Sequence, residues 1–261
     1  MCPRKNPPNR DRRALVSVER LPNMTVLRFH GREALAGADL ELLNSLWQFW
    51  EAEHLEPSPV VVVLAPPDLL SPRSLERLLG GPSATNGASA AEVSERIVRE
   101  GNVTRRFIEH VRKLDSFVVG VVGGEVAFRL AAPLLACDYR IVSSDTVFVN
   151  TTTDLPRAPL NCLPWLLAKM VGGAKASQLL LDVPRLSAAD AHDLGLVNHI
   201  TTPDRLEREA FEVAERLGSL PRATLVSLKR LTVAASEDFQ TYAQQELTLT
   251  QRLAASRWKE L

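Results

Sequence analysis

Between Gly124 and Trp165 the chain carries four carboxylates, Glu125, Asp138, Asp145 and Asp154, and a carboxylate in a cleft can act as general acid or base. Glu125 sits at the end of an apolar run, and Asp145 follows Ser143 and Ser144 in a turn-forming cluster. Asp154 lies in the loop that follows Val147-Phe148-Val149, as a candidate base or as an exposed loop charge. Five histidines, His30, His54, His110, His192 and His199, show no metal-ligand spacing, so no metal is expected. Of three cysteines, Cys2, Cys137 and Cys162, none forms a CxxC pair, which argues against a disulfide framework or zinc site and for a reducing compartment. Cys137 reads as a small buried hydrophobe. Cys162 lies at a loop-to-helix entry, where a thiol can be activated.

The elements that must position these groups follow from hydrophobic periodicity. Val16, Val18, Val26, Leu27 and Phe29 flank the turn at Pro22-Asn23 and predict a strand hairpin. Leu42, Leu43, Leu46, Phe49 and Trp50 recur at helical spacing within 38–53. Val60–Leu64 is a continuous branched run, suited to a parallel strand buried on both faces. Residues 80–90 form a low-complexity surface loop, and 91–114 a second helix with Val93, Ile97, Phe107, Ile108 and Val111 inward. Phe117–Val122 is another buried strand. From residue 204 the chain reads as helix at 204–217, 222–235 and 238–256. Strands alternating with long helices give an α/β architecture.

The stretch from Phe117 to Val197 resembles the crotonase (enoyl-CoA hydratase/isomerase) superfamily. Gly124 ends an apolar strand, and Asp138 with Arg140 follows fourteen residues later. Phe148, Pro159, Val171-Gly172 with Ala176, and Ser187-Ala188 with Ala191, Gly195, Leu196 and Val197 complete the pattern in one register. The resemblance implies a crotonase fold of repeated ββα units over 14–200, preceded by a disordered leader at 1–13 and followed by a C-terminal helical trimerisation region at 201–261. It also implies a homotrimer or hexamer, and an acyl thioester of coenzyme A or of a carrier protein as ligand, with no other cofactor.

Crotonase chemistry rests on two backbone N–H groups that hold the thioester oxygen as charge develops. The register places one donor at Arg129, within Phe128-Arg129-Leu130, where the family has three glycines; a thioester pocket is therefore expected against Phe128, Leu130 and Ala132. Inside a helix the Pro133 ring would press on the carbonyl of Arg129. The helix after Gly124 is thus expected to begin late or to kink near Arg129, with Phe128 and Leu130 partly filling the thioester space. The second donor belongs after Val60–Leu64, where the chain reads APPDLLSPRS, and Ser71–Ser74 lies near the right place. Hydration needs two carboxylates, and the resemblance puts those positions on Ala132 and Thr152, neither of which transfers protons at neutral pH. Asp154, two residues on, is the candidate for a relocated base. The readings left open are a thioester- or partner-binding protein without hydratase activity; an isomerase, decarboxylase or thioester hydrolase built on Asp154, Arg129 or the 65–81 loop; and a hydratase. Lys229 and Arg230 fall where such proteins bring basic side chains near nucleotide phosphates, or on a solvated helix face.

Lysine plus arginine and aspartate plus glutamate balance at 31 each. The basic excess of a nucleic-acid binder is therefore missing, and self-association is not opposed by charge. No apolar run suits a membrane span or a signal peptide, so a cytoplasmic protein is expected.

Overall fold

The computed structural model describes residues 15–31, 40–78, 90–151 and 161–234, with 238, 240, 243–244 and 247–248. The leader, most of the low-complexity stretch, Thr152, Asp154 and Pro159, and most of the last expected helix lie outside the described residues, as do the side chains of Val93 and Ile97.

The hairpin forms as the alternation predicts: β1 (Val16–Leu21) and β2 (Met24–Phe29) pair antiparallel about Pro22-Asn23. Helix α1 (Leu40–Leu55) leads to β3 (Val60–Leu64), which lies parallel between β2 and β4 (Phe117–Val122). Short α2 (Pro72–Leu78) and long α3 (Ala90–Lys113) occupy the β3–β4 crossover. The six-stranded sheet runs β1-β2-β3-β4-β6-β9, where β6 is Tyr139–Ser143 and β9 is His199–Thr201. A second sheet, β5 (Glu125–Ala127), β7 (Val147–Val149) and β8 (Arg185–Ser187), stands apart from it.

Both faces of β3 are buried, and its period of two splits it between two cores. Val61 and Val63 join Leu42, Phe49, Trp50 and Val111 beneath α1 and α3. Val60, Val62 and Leu64 turn to the opposite face, against Ala210, Val213 and Ala214 of a later helix, α8 (Leu206–Gly218). Each such valine removed from water contributes about 1.5–3 kcal/mol. A third core gathers Val126, Phe128, Ala132 and Phe148 with α5 (Leu163–Val171), α6 (Gly173–Leu181) and α7 (Ala188–Asp193). Helix α7 opens on a Ser187 cap, whose hydroxyl accepts from the Asp190 N–H at 3.1 Å. The last described helix, α9 (Arg222–Ala234), reaches back to the start of β4.

Candidate active site

The segment after Gly124 begins its helix late. Phe128–Leu130 forms a single 3₁₀ turn, and α4 (Ala132–Leu135) starts only at Ala132, with Ala131 as cap and Pro133 in the first turn. There the missing Pro133 N–H costs nothing, because first-turn donors have no intrahelical partner. The Arg129 carbonyl, which a longer helix would have offered to residue 133, accepts instead from the Asn161 amide at 3.3 Å. Asn161 and Cys162, the residues entering α5, both adopt left-handed backbone, with φ of 69° and 62°.

The three residues expected in one pocket separate. Leu130 turns toward α2, touching Leu75 and Ala127, and faces a cavity described below. Phe128 points the other way and stacks near Phe148, ring centroids 6.0 Å apart, while Ala132 packs into the same third core. The cause is the tight turn, whose three-residue period sends Phe128 and Ala131 to one side and Leu130 to another. Arg129 is buried.

The cavity measures about 150 Å³ and lies between the sheet and its α1–α3 cover. Its walls are the carboxyl-terminal halves of β3 and β4 (Val63, Gly120, Val121, Val122), α1 (Leu42, Leu43, Leu46), α3 (Val103, Thr104, Phe107), and Leu130, Pro133, Leu134 and Cys137 from α4 and its exit. Ala65, Leu69 and Leu70 close one side. Among the described residues, no carboxylate, imidazole or amine lines it. The polar candidates are the Thr104 hydroxyl and the Cys137 thiol. Burial, reinforced by the charge of Asp138, pushes that thiol up to about 12, so it stays neutral and donates to the Pro133 carbonyl at 3.3 Å. An apolar cavity of this size and lining accepts a small hydrocarbon.

The loop that follows β3, unreadable in register from its sequence, is stitched to the segment that follows β4. Ala65 N–H donates to Val121 O at 3.0 Å, Asp68 N–H to Gly123 O at 3.1 Å, and Ala127 N–H to Leu70 O at 2.7 Å. The Asp68 carboxylate accepts the Glu125 N–H at 2.9 Å. Asp68 has a φ of 61° and Gly124 one of 74°, and a Cβ on Gly124 would stand 2.3 Å from the Asp68 Oδ1. Glycine is required there both by the backbone and by this approach. Asp68 is the residue that sequence reasoning passed over. Its signal was faint: an aspartate after Pro66-Pro67, in a turn where that residue type tolerates left-handed backbone. Within the loop, the N–H groups of Asp68, Leu69, Ser71, Ser74 and Leu75 are all taken, and Pro66, Pro67 and Pro72 have none. The Leu70 N–H has no acceptor among the described residues, and Leu70 is one of the residues that line the cavity.

The remaining candidates are structural. Asp138 accepts the Val118 N–H at 2.7 Å and pairs with Lys229 at 2.8 Å. Burial raises its carboxyl, and the Lys229 ammonium opposes that rise. Lys229 is itself buried and also donates to Ser116 O at 2.6 Å, so it faces no phosphate site and no solvent. Arg230 forms a paired contact with Asp115 at 2.7 and 2.9 Å. Arg140 donates to the carbonyls of Leu196 and Cys137, which pins β6 to the turn after α7. Glu125 is bound to Arg185 at 2.8 Å, and Asp145 accepts from the Ser143 hydroxyl in the expected turn. Trp165 is buried, donates to Asp238 at 3.3 Å and carries Arg112 over its ring. No group of three or more metal-ligating side chains occurs among the described residues.

A model of the enoyl-CoA hydratase/isomerase family matches residues 90–259, more than half of the chain. The chain belongs to that family. Among curated relatives it is 27% identical over 165 residues to a trans-2-decenoyl-acyl-carrier-protein isomerase of Streptococcus mutans, covering 63% of each chain. It is 27% identical over 144 residues to a short-chain-enoyl-CoA hydratase of Clostridium acetobutylicum, covering 54% of this chain and 55% of that one. The matches thus span about half the length of the curated relatives, or somewhat more. Among solved structures, an enoyl-CoA hydratase from Bacillus halodurans superposes with a TM-score of 0.74 at 20% identity, over 92% of this chain and 94% of that one. An enoyl-CoA hydratase/isomerase from Cupriavidus metallidurans CH34 gives 0.65 at 23% identity, over 93% and 88%. At these identities the likeness establishes the crotonase fold. In that fold the cavity and the two stitched loops occupy one end of the parallel strands, where ligands of open α/β sheets bind.

Proposed function

We propose that the chain binds an acyl thioester, carried by coenzyme A or by a carrier protein, and does not hydrate it. The acyl chain lies in the apolar cavity, and the thioester oxygen lies at the Leu70 N–H. The carrying observation is a pairing: an apolar cavity of about 150 Å³ is lined in part by Leu70, a residue whose N–H has no acceptor among the described residues. A hydrocarbon gains from leaving water, and an unpaired N–H gains from a carbonyl oxygen. We assign the second donor of the family pattern to Arg129, two residues past Ala127, whose own N–H is bound to Leu70 O. Hydration needs two carboxylates to activate one water. Ala132 stands at one of those positions as a fully buried methyl, and Thr152 stands at the other.

Isomerisation of a double bond is the second reading, favoured over hydration because it moves one proton to and fro and so needs a single base. Asp154 is the candidate for that base. The relative from Streptococcus mutans is an isomerase. In either reading we place the protein in the cytoplasm as a homotrimer or hexamer built through its C-terminal helices. Leu228 and Leu231 of α9 are 53% and 71% exposed, which suits such an interface. No described helix is long and apolar enough to cross a membrane.

Titration calorimetry with saturated acyl thioesters of increasing chain length tests the proposal. Saturable binding that tightens as the chain fills the cavity, with a negative heat-capacity change, is expected. Binding indifferent to the acyl group, or none, overturns it.

A further inference from the structure

We infer that Asp68 is a positioning residue that holds the two carbonyl-binding loops at a fixed separation; the inference rests on the thioester reading above. The two loops meet along residues 65–70 and 121–127 through three backbone links, Ala65 to Val121, Asp68 to Gly123 and Leu70 to Ala127. The Asp68 carboxylate adds a fourth, to the Glu125 N–H at 2.9 Å. That side-chain link falls between the backbone links, two residues before Leu70 and three before the Phe128–Leu130 turn begins. It therefore ties the two segments at the point where both leave the main sheet.

Two features show that the chain is shaped to make this contact. Asp68 takes left-handed backbone, φ 61°, at which a non-glycine residue is uncommon. Gly124, φ 74°, leaves open the space in which a Cβ would meet the Asp68 Oδ1 at 2.3 Å and the Asp68 backbone nitrogen at 3.3 Å. The loop holds Pro66 and Pro67 immediately before Asp68, and prolines cannot donate to the β4 side. The carboxylate supplies a cross-link where a regular ladder would have placed backbone donors.

The consequence is geometric. A carbonyl oxygen polarised by two N–H groups needs both within hydrogen-bond range, and a misplacement of about 1 Å can cost roughly 100-fold in rate. Without the carboxylate the three backbone links remain, but the side-chain link between the Asp68–Gly123 and Leu70–Ala127 links is lost, and the Leu70 peptide gains freedom to drift from the 3₁₀ turn. Hydrocarbon binding in the cavity depends less on that spacing, because most of the lining comes from β3, β4, α1, α3 and α4.

The test compares Asp68→Gly and Asp68→Asn with the wild-type full-length protein. Glycine keeps the positive φ and removes only the carboxylate. Asparagine keeps both the left-handed backbone and an acceptor oxygen. Two ligands are used: an acyl thioester labelled with ¹³C at its carbonyl, and the thioether of the same chain length, which lacks that oxygen. Vibrational difference spectra read the carbonyl stretch, and calorimetry reads both affinities. The expected result is a lowered carbonyl frequency in wild type and Asp68→Asn. In Asp68→Gly the frequency returns toward its value in water, thioester affinity falls about tenfold, and thioether affinity changes less than about twofold. An unchanged frequency in Asp68→Gly overturns the positioning role. Equal losses for thioester and thioether, in a variant whose melting temperature has also dropped, overturn it in favour of a general structural role. Failure of the wild type to bind any thioester overturns the functional reading, and this inference with it.

Discussion

Replacing Lys229 by methionine separates a structural role from a ligand-binding one. Methionine keeps the apolar stem and deletes the ammonium, so the change removes charge with little loss of packing. Asp138 then retains the Val118 N–H at 2.7 Å but loses its partner at 2.8 Å, and Ser116 O loses a donor at 2.6 Å. Stripping one partner from a buried pair costs about 3–5 kcal/mol. Asp138 keeps 14% side-chain exposure, which favours the lower end, about 3 kcal/mol. For a chain of this size that lowers the melting temperature by roughly 6–12 °C. The pH dependence has a definite sign. Burial already raises the Asp138 carboxyl, and without the ammonium it rises further, so the folded variant holds a proton that the unfolded chain releases. Stability of the variant therefore falls as pH climbs above the ordinary aspartate value of about 3.9, and the deficit is smaller at pH 5 than at pH 8. Adding Asp138→Asn should recover much of the loss. Calorimetric melts of the two singles and the double across pH decide the matter. Lys229→Met within about 1 kcal/mol of wild type at every pH, combined with weaker binding of coenzyme A, would refute the structural assignment.

Gly120→Ala should destabilise by about 1–3 kcal/mol through overpacking, because the new Cβ would stand 2.8 Å from Cys137 Sγ and 3.0 Å from Leu134 Cδ1. Adding Cys137→Ala removes the first contact and should restore most of the loss in a urea titration. His54 Nε2 and His110 Nδ1 lie 3.3 Å apart at the outer edge of α1 and α3, with Glu109, Lys113 and Arg106 facing His110 from its own helix. Partial burial, then the neighbouring His54, holds His110 below the ordinary histidine value, so its contribution to stability is present above about pH 6.5 and is lost on acidification. A shallower fall in melting temperature between pH 7 and 5 is expected in His110→Gln, and an unchanged slope counts against the coupling.

The parts of this molecule that were legible in sequence are those fixed by neighbours along the chain. Val60–Leu64 declared a strand with two buried faces because branched residues fill both phases of a two-residue period. Pro133 declared the late start of α4 because a ring clash acts over four residues. Gly124, Asp138 and Arg140 carried the family pattern because each satisfies a backbone or packing demand at a fixed spacing. What stayed hidden depends on distant partners. Asp68 acquires its meaning from Glu125, 57 positions away. Lys229 reads as a surface cation until Ser116, 113 positions earlier, is brought beside it with Asp138. Phe128 and Leu130 are expected in one pocket because the resemblance sets both where the family has glycines beside the thioester, and only the 3₁₀ turn sends them to different sides.

The most direct test of the central claim is the fate of a conjugated enoyl thioester mixed with the purified protein, followed by the ultraviolet absorbance of the conjugated bond. A member of this family that binds the thioester without hydrating it leaves the absorbance unchanged over many multiples of a typical enzyme's turnover time, about 0.1 s. The same sample meanwhile shows saturable binding by calorimetry. Rapid loss of the absorbance, sensitive to Asp154→Ala and accompanied by a 3-hydroxyacyl product, would contradict the account and place a working acid–base group where Ala132 and Thr152 offer none.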